Sequence, residues 1–228
     1  MSMSRLIFDI ETVGADFESF DATTQEYLLS SAKTPEEQDL VRDRMGFSPL
    51  TGEIVAISIL NPDTHKGATF FQAPESNLEP YTKDDVQYVP STEKEILQRF
   101  WDAARYYDQF ITFNGRAFDA PFVIVRSAVH SVHPTRDLMP NRYSGEGHVD
   151  LFDRLSFFGA VRKTMSLHMW CQAFGIASSK ADGVTGDDVA RLFMEKKYTD
   201  IAEYCFRDVV ATAELFKIWE TYMQPPRR

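Results

Sequence analysis

The chain has 228 residues, 43% of them hydrophobic, and a net charge of −10 at neutral pH. That length reads as one large domain or at most two small ones, with apolar content enough for a core, and no stretch approaches the roughly 18 apolar residues of a membrane span. The negative charge excludes a protein that coats nucleic acid through a basic face, but not one that meets phosphates through bound metal ions.

Two cysteines, Cys171 and Cys205, lie far apart with no partners at zinc spacing. This fits a reducing, cytoplasmic setting. The N-terminus carries only a few apolar residues before turning acidic, so no signal peptide is expected.

Residues 4–10 predict a first strand, its apolar run Leu6-Ile7-Phe8 ending in Asp9 and Glu11. Residues 16–50 form an acidic, weakly patterned insertion. Within it, Thr34-Pro35-Glu36-Glu37 predicts a helix start, with Thr34 as cap and Pro35 at the first helical position. The turn cluster SPLTG (48–52) leads into EIVAISIL (53–60) and GATFFQ (67–72), two strands that complete an antiparallel opening. Thr92 with Glu95 reads as a capping box. The helix that follows, through about Tyr107, carries Ile96, Leu97, Phe100, Ala103 and Ala104 as its apolar stripe. QFITFN (109–114) predicts a strand, and a helix follows from about Phe118 to Val129. HVDLFDRLSFFG (148–159) starts extended and turns helical. SLHMWCQAFGI (166–176) predicts a short helix ending at Gly175, and GDDVARLFMEKK (186–197) another. Between them, 177–185 reads as a polar, mobile loop. Thr199 is expected to cap a last helix through about Tyr222, before a closing PPRR. Strands first, then alternating helix and strand, then helices imply one α/β domain with a mixed sheet.

Three places carry chemistry. Asp9 and Glu11, two apart on an extended chain, point to one face while Ile10 points to the other. Carboxylates that close repel, and a divalent cation, magnesium or manganese, relieves the repulsion. Asp119 falls at the start of a helix just after the strand and the Asn114-Gly115 turn, where open α/β sheets place their sites. Tyr204 and Asp208, four apart, share one helix face, and aspartate is a poor mid-helix residue. Alone, each signal has a plainer reading: two solvated acids, a helix-start acid, a surface acid paired with Arg207.

Elsewhere the pattern is thinner. His130 and His133 have no carboxylate or cysteine at ligand spacing, and Pro134 disfavours helix at His133. Asp150 reads as structural. Arg116, Arg162, Lys163 and Lys180 are ordinary surface cations and stay outside the site.

In order and spacing, Phe8-Asp9-Ile10-Glu11-Thr12, the run Asn114 to Asp119, and the run Tyr204 to Asp208 resemble the three motifs of the DEDD 3′–5′ exonucleases, tyrosine subtype. The closer resemblance is to the proofreading exonuclease domain of family B DNA polymerases and its stand-alone relatives. It implies an RNase H-like fold, a central mixed sheet flanked by helices, over residues 1–228. It further implies two divalent metal ions, Mg2+ or Mn2+. Asp9, Glu11 and Asp208 would hold the first, Asp9 would bridge to the second, and Asp119 would bind the second. Tyr204 would orient the attacking water, and Asn114 and Phe118 would lie against the terminal nucleotides. The implied substrate is a single-stranded nucleic acid 3′ end, DNA ahead of RNA, with release of nucleoside 5′-monophosphates. No polymerase follows Asp208, so the expectation is an enzyme that acts alone or is recruited by a replication or repair protein. A non-catalytic protein on a nuclease scaffold is the remaining alternative, and the intact acids argue against it.

Overall fold

A computed structural model of the protein describes residues 3–144, 146–178, 180 and 185–224. Most of the expected loop 177–185 and the closing PPRR fall outside these residues. The strands are β1 (Arg5–Gly14), β2 (Gly52–Leu60), β3 (Gly67–Phe71), β4 (Tyr81–Lys83), β5 (Val86–Pro90), β6 (Gln109–Thr112) and β7 (His148–Asp150). They form one sheet in the order β4-β5-β3-β2-β1-β6-β7. β1–β2, β2–β3 and β4–β5 are antiparallel. β1–β6, β6–β7 and β3–β5 are parallel. The fold is thus the α/β, RNase H-like mixed sheet that the sequence implied.

The helices are α1 (Ala22–Leu29), α2 (Pro35–Asp43), α3 (Glu93–Ala104), α4 (Asp119–Val129), α5 (Leu151–Leu155), α6 (Leu167–Phe174), α7 (Val189–Met194) and α8 (Tyr198–Ile218). Strand alternation assigns β1 to two cores at once. Leu6, Phe8 and Ile10 pack under α3 and α4 with Ile96, Phe100 and Phe122. On the opposite face, Ile7 packs with Val209 and Phe216 of α8, and Val13 joins the α7–α8 cluster around Ile201. Asp9 and Glu11 belong to this α8 face by the same alternation. No helix among the described residues is long and apolar enough to cross a membrane.

Several boundaries differ from the sequence reading. β1 runs to Gly14 rather than residue 10, so Glu11 lies inside a strand. Register with β2 slips between Glu11 and Thr12, where Glu11 faces Ala56 and Thr12 faces Ile54. The extra residue is Val55, a bulge beside the acids. The β4–β5 hairpin went unanticipated. It turns on Asp84 and Asp85, both at positive φ (51° and 61°), as a two-residue primed turn demands. α8 starts at Tyr198 with Lys197 as its N-cap, so Thr199 is not the cap. A π-helical turn, Trp219–Met223, follows α8. The insertion carries α1 and α2, neither with a buried residue, which is why its pattern is weak. Thr34 caps α2 with Glu37 in a capping box, and Thr92 caps α3 with Glu95.

Candidate active site

β6 accompanies β1 only from Arg5 to Ile7. Beyond that point, the edge of β1 meets the segment after β6. Asn114 there adopts φ +66°, a left-handed conformation asparagine tolerates better than most residues. Gly115 must be glycine, because a Cβ would lie 2.5 Å from the Thr112 side chain. Asp150 fixes this turn: its carboxylate accepts from Asn114 N–H (2.8 Å), Arg116 N–H (2.9 Å) and Phe152 N–H (3.0 Å). The chain then enters α4, and the Asp119 carboxylate accepts from the Ile10 N–H at 3.0 Å. Asp119 is thereby locked to the residue between Asp9 and Glu11.

From the other side, α8 brings Tyr204, Cys205 and Asp208 over β1. Ligand atoms of Asp9, Glu11 and Cys205 lie within 4.8 Å of one another. Asp119 and Asp208 stand outside this tightest group, yet all four acids feel each other. Burial, then the charges of Asp119, Asp208 and Glu11, push Asp9 well above the usual carboxylate range. Glu11 is raised the same way, by burial and then by Asp208 and Asp119. Asp119 rises to about 7, chiefly through burial, with Asp150 and Asp208 adding to it and the backbone N–H bonds holding it back. The Tyr204 phenol is raised by burial and by the charges of Asp208, Glu11 and Asp9, and is hydrogen-bonded to Asp208. It stays protonated at any physiological pH.

Cys205 is the residue that sequence reasoning passed over, although it sits between Tyr204 and Asp208. Its sulfur lies 3.5 Å from the Asp9 carbonyl and 3.8 Å from Asp9 Oδ2. Burial and the neighbouring carboxylates hold its thiol well above the ordinary value. Held neutral, it is a weak donor behind Asp9.

The site opens into a cavity of about 400 Å³, lined among others by Asp9, Asp208, Tyr204, Asn114, Phe152 and Lys180. Lys180 thus lies at the site, where the sequence reading left it out. Phe118 is placed elsewhere, with its ring 5.4 Å from Phe122 and 6.4 Å from Phe47. His130 has a carboxylate partner after all: its Nε2 is 2.6 Å from Glu93 Oε2. This is a structural contact on the far face, distant in sequence and so invisible to spacing.

A family model described as "Predicted 3'-5' exonuclease related to the exonuclease domain of PolB" matches residues 51–223. The chain belongs to this family. Among curated proteins it is similar to a DNA polymerase of Thermococcus aggregans, 26% identical over 84% of this chain and 11% of that one. It is also similar to a DNA polymerase epsilon catalytic subunit of Arabidopsis thaliana, 26% identical over 96% of this chain and 10% of that one. DNA polymerase 1 of Sulfolobus acidocaldarius is 29% identical over 48% of this chain and 13% of that one. The chain therefore spans about a tenth of the length of these relatives. The family B DNA polymerase of Pyrobaculum calidifontis shares the fold, with a TM-score of 0.60 at 18% identity over 96% of this chain and 25% of that one.

The donor set fits the divalent ions that exonuclease domains of this kind use. Asp9, Glu11 and Asp119 are not ion-paired to any lysine or arginine among the described residues, and only burial and neighbouring acids act on Glu11. Carboxylate clusters left in that state bind hard cations through oxygen.

Proposed function

We propose that this protein is a divalent-metal-dependent 3′–5′ exonuclease that removes nucleotides from single-stranded DNA as nucleoside 5′-monophosphates. The observation that carries it is the convergence of Asp9, Glu11, Asp119 and Asp208 into one mutually repelling group, beside a cavity that also holds Tyr204. Family membership points to the same chemistry.

Asp9, Glu11 and Asp208 would hold one ion, and Asp9 with Asp119 the second. When bound, the ions acidify water and neutralise charge on the attacking and leaving oxygens of an in-line displacement. The protein's own groups supply placement. Tyr204, kept protonated and tied to Asp208, positions the attacking water rather than removing its proton. Asn114, anchored through Asp150, lines the space for the terminal nucleotide. The water oxygen bonds to phosphorus, the P–O3′ bond breaks, and the shortened strand keeps a 3′ hydroxyl.

The test is digestion of 5′-labelled single-stranded DNA, with matched RNA alongside, in magnesium or manganese. Stepwise shortening of DNA is expected, abolished by chelator and by Asp9→Ala. Shortening of RNA alone would move the substrate to RNA. Shortening of neither, or undiminished shortening by Asp9→Ala, would overturn the reading.

A further inference from the structure

Between Asp153 and Asp182 the chain has no acidic residue, although its net charge is −10. The same stretch carries Arg154, Arg162, Lys163 and many large apolar residues. Its first part links α5 to α6. After α5 the backbone turns sharply, with Phe157 and Phe158 both at positive φ (51° and 56°), a conformation that bulky residues rarely adopt. The turn is held by Phe158 N–H, which donates to the Asp153 carbonyl at 2.7 Å, and by Val161 N–H, which donates to the Ser156 carbonyl at 3.0 Å. Phe158 packs against Tyr143, with ring centroids 5.1 Å apart, and under the Arg154 guanidinium at 4.9 Å. Phe157 is left 59% exposed. The strained turn thus packs one ring and presents the other.

Phe157 borders a cavity of about 280 Å³ whose apolar wall is Phe152, Leu155, Val161, Met165 and Trp170. This cavity adjoins the catalytic one, because Phe152, Thr164 and Met165 border both. Few polar groups face it. Ser156 Oγ already donates to the Asp153 carbonyl, and Lys163 and Thr164 are exposed. A nucleobase has donors and acceptors along its edges, and these would go unpaired against such a wall. An aliphatic or aromatic side chain has no such loss. Beside the cavity, Arg162 and Lys163 are exposed and form no ion pair among the described residues. An apolar pocket with unpaired cations at its edge complements an apolar anchor flanked by carboxylates.

We propose that this face docks a protein partner through a short acidic peptide. One large apolar side chain enters the cavity, and neighbouring carboxylates pair with Arg162 and Lys163. The partner is thereby held beside the catalytic cavity. The proposal goes beyond the nuclease reading and does not rest on it.

Selection of random peptides displayed on phage, against the full chain, tests this. Enriched peptides are expected to share a large apolar residue next to aspartates or glutamates. A labelled synthetic peptide of the enriched sequence, followed by fluorescence anisotropy, should bind Val161→Glu at least about tenfold more weakly than wild type, because a charge then meets the apolar anchor. Arg162→Glu/Lys163→Glu should weaken it by a similar factor, and added salt should weaken binding to wild type. All three positions are exposed, and thermal melts check that each variant is folded. Digestion of single-stranded DNA should be unchanged in both. No enrichment, enriched peptides without acids, or undiminished binding by either folded variant would overturn the proposal. A folded variant that loses DNA digestion together with peptide binding would assign the face to the substrate strand and overturn it as well. A wild type that digests no DNA would overturn the nuclease reading, while peptide binding still decides this one.

Discussion

At the scale of single residues, the site is a store of electrostatic repulsion. Asp9, Glu11 and Asp119 all hold their protons more tightly in the folded chain than an ordinary carboxylate does. A group with a raised folded pKa destabilises the fold once the unfolded form ionises first. The penalty is absent below about pH 4, grows as pH rises, and for Asp119 is complete above its value of about 7. In chelator, Asp119→Asn should therefore gain thermal stability over wild type as pH rises from about 4 to about 7, by about 2–4 °C for each ~1 kcal/mol relieved. Thermal melts across that range check this, and a gap that is constant with pH would speak against buried repulsion. Manganese should raise the wild-type melting temperature at neutral pH and leave Asp9→Asn nearly unmoved. Tyr204 makes a separate prediction. Tyr204→Phe keeps the ring in its core and loses only the hydroxyl bonded to Asp208. It should lower kcat about a hundredfold with little change in KM, the scale of misplacing an attacking group by about an ångström. Steady-state kinetics on a single-stranded oligonucleotide read the split.

At the scale of elements, the acids are held by contacts far from any metal. Glu93, at the first turn of α3, is buried and accepts from Ile54 N–H at 2.8 Å, Arg126 Nε at 2.8 Å, Arg126 Nη2 at 2.6 Å and His130 Nε2 at 2.6 Å. Arg126 Nη1 also donates to the Pro49 carbonyl at 3.3 Å. One carboxylate thus joins α3, α4 and β2, and Arg126 adds the end of the insertion. Glu93→Ala would leave the half-buried Arg126 guanidinium without its carboxylate and the buried Ile54 N–H without its acceptor, and should cost about 1–3 kcal/mol of stability. Denaturant unfolding measures it, and a loss under about 1 kcal/mol would show that the cluster is not a staple. These links also mark what a sequence can disclose. The stripe Ile96-Leu97-Phe100, the caps Thr34 and Thr92, and the alternation of β1 are local, and local patterns survive into the fold. The β4–β5 hairpin escaped because its turn is Asp84-Asp85, without the glycine that usually flags positive φ. The start of α8 escaped because Lys197 supplies no side-chain cap, so the nearest threonine drew the boundary. Cys205, Glu93 and Phe47 owe their surroundings to partners tens to hundreds of residues away, and no spacing rule reaches that far.

At the scale of the whole molecule, the proposed function asks a chain of net charge −10 to take hold of a polyanion. On that reading broad electrostatic attraction works against binding, and affinity is concentrated where bound cations meet the phosphates. The four acids come from β1, α4 and α8. The two helices pack on opposite faces of the sheet, so the acids meet only when the fold is complete. Family resemblance could align Asp9, Glu11, Asp119 and Asp208, but only the fold shows Asp119 tied to Ile10 and Cys205 packed behind Asp9. The most direct test of the central claim is a manganese titration followed by electron paramagnetic resonance, with a nucleoside 5′-monophosphate present. Wild type should bind two Mn2+ per chain, close enough for their signals to couple, and the Asp9→Asn/Asp208→Asn variant should lose both. Undiminished binding by that variant, or no binding by wild type, would contradict a metal cage built from these acids.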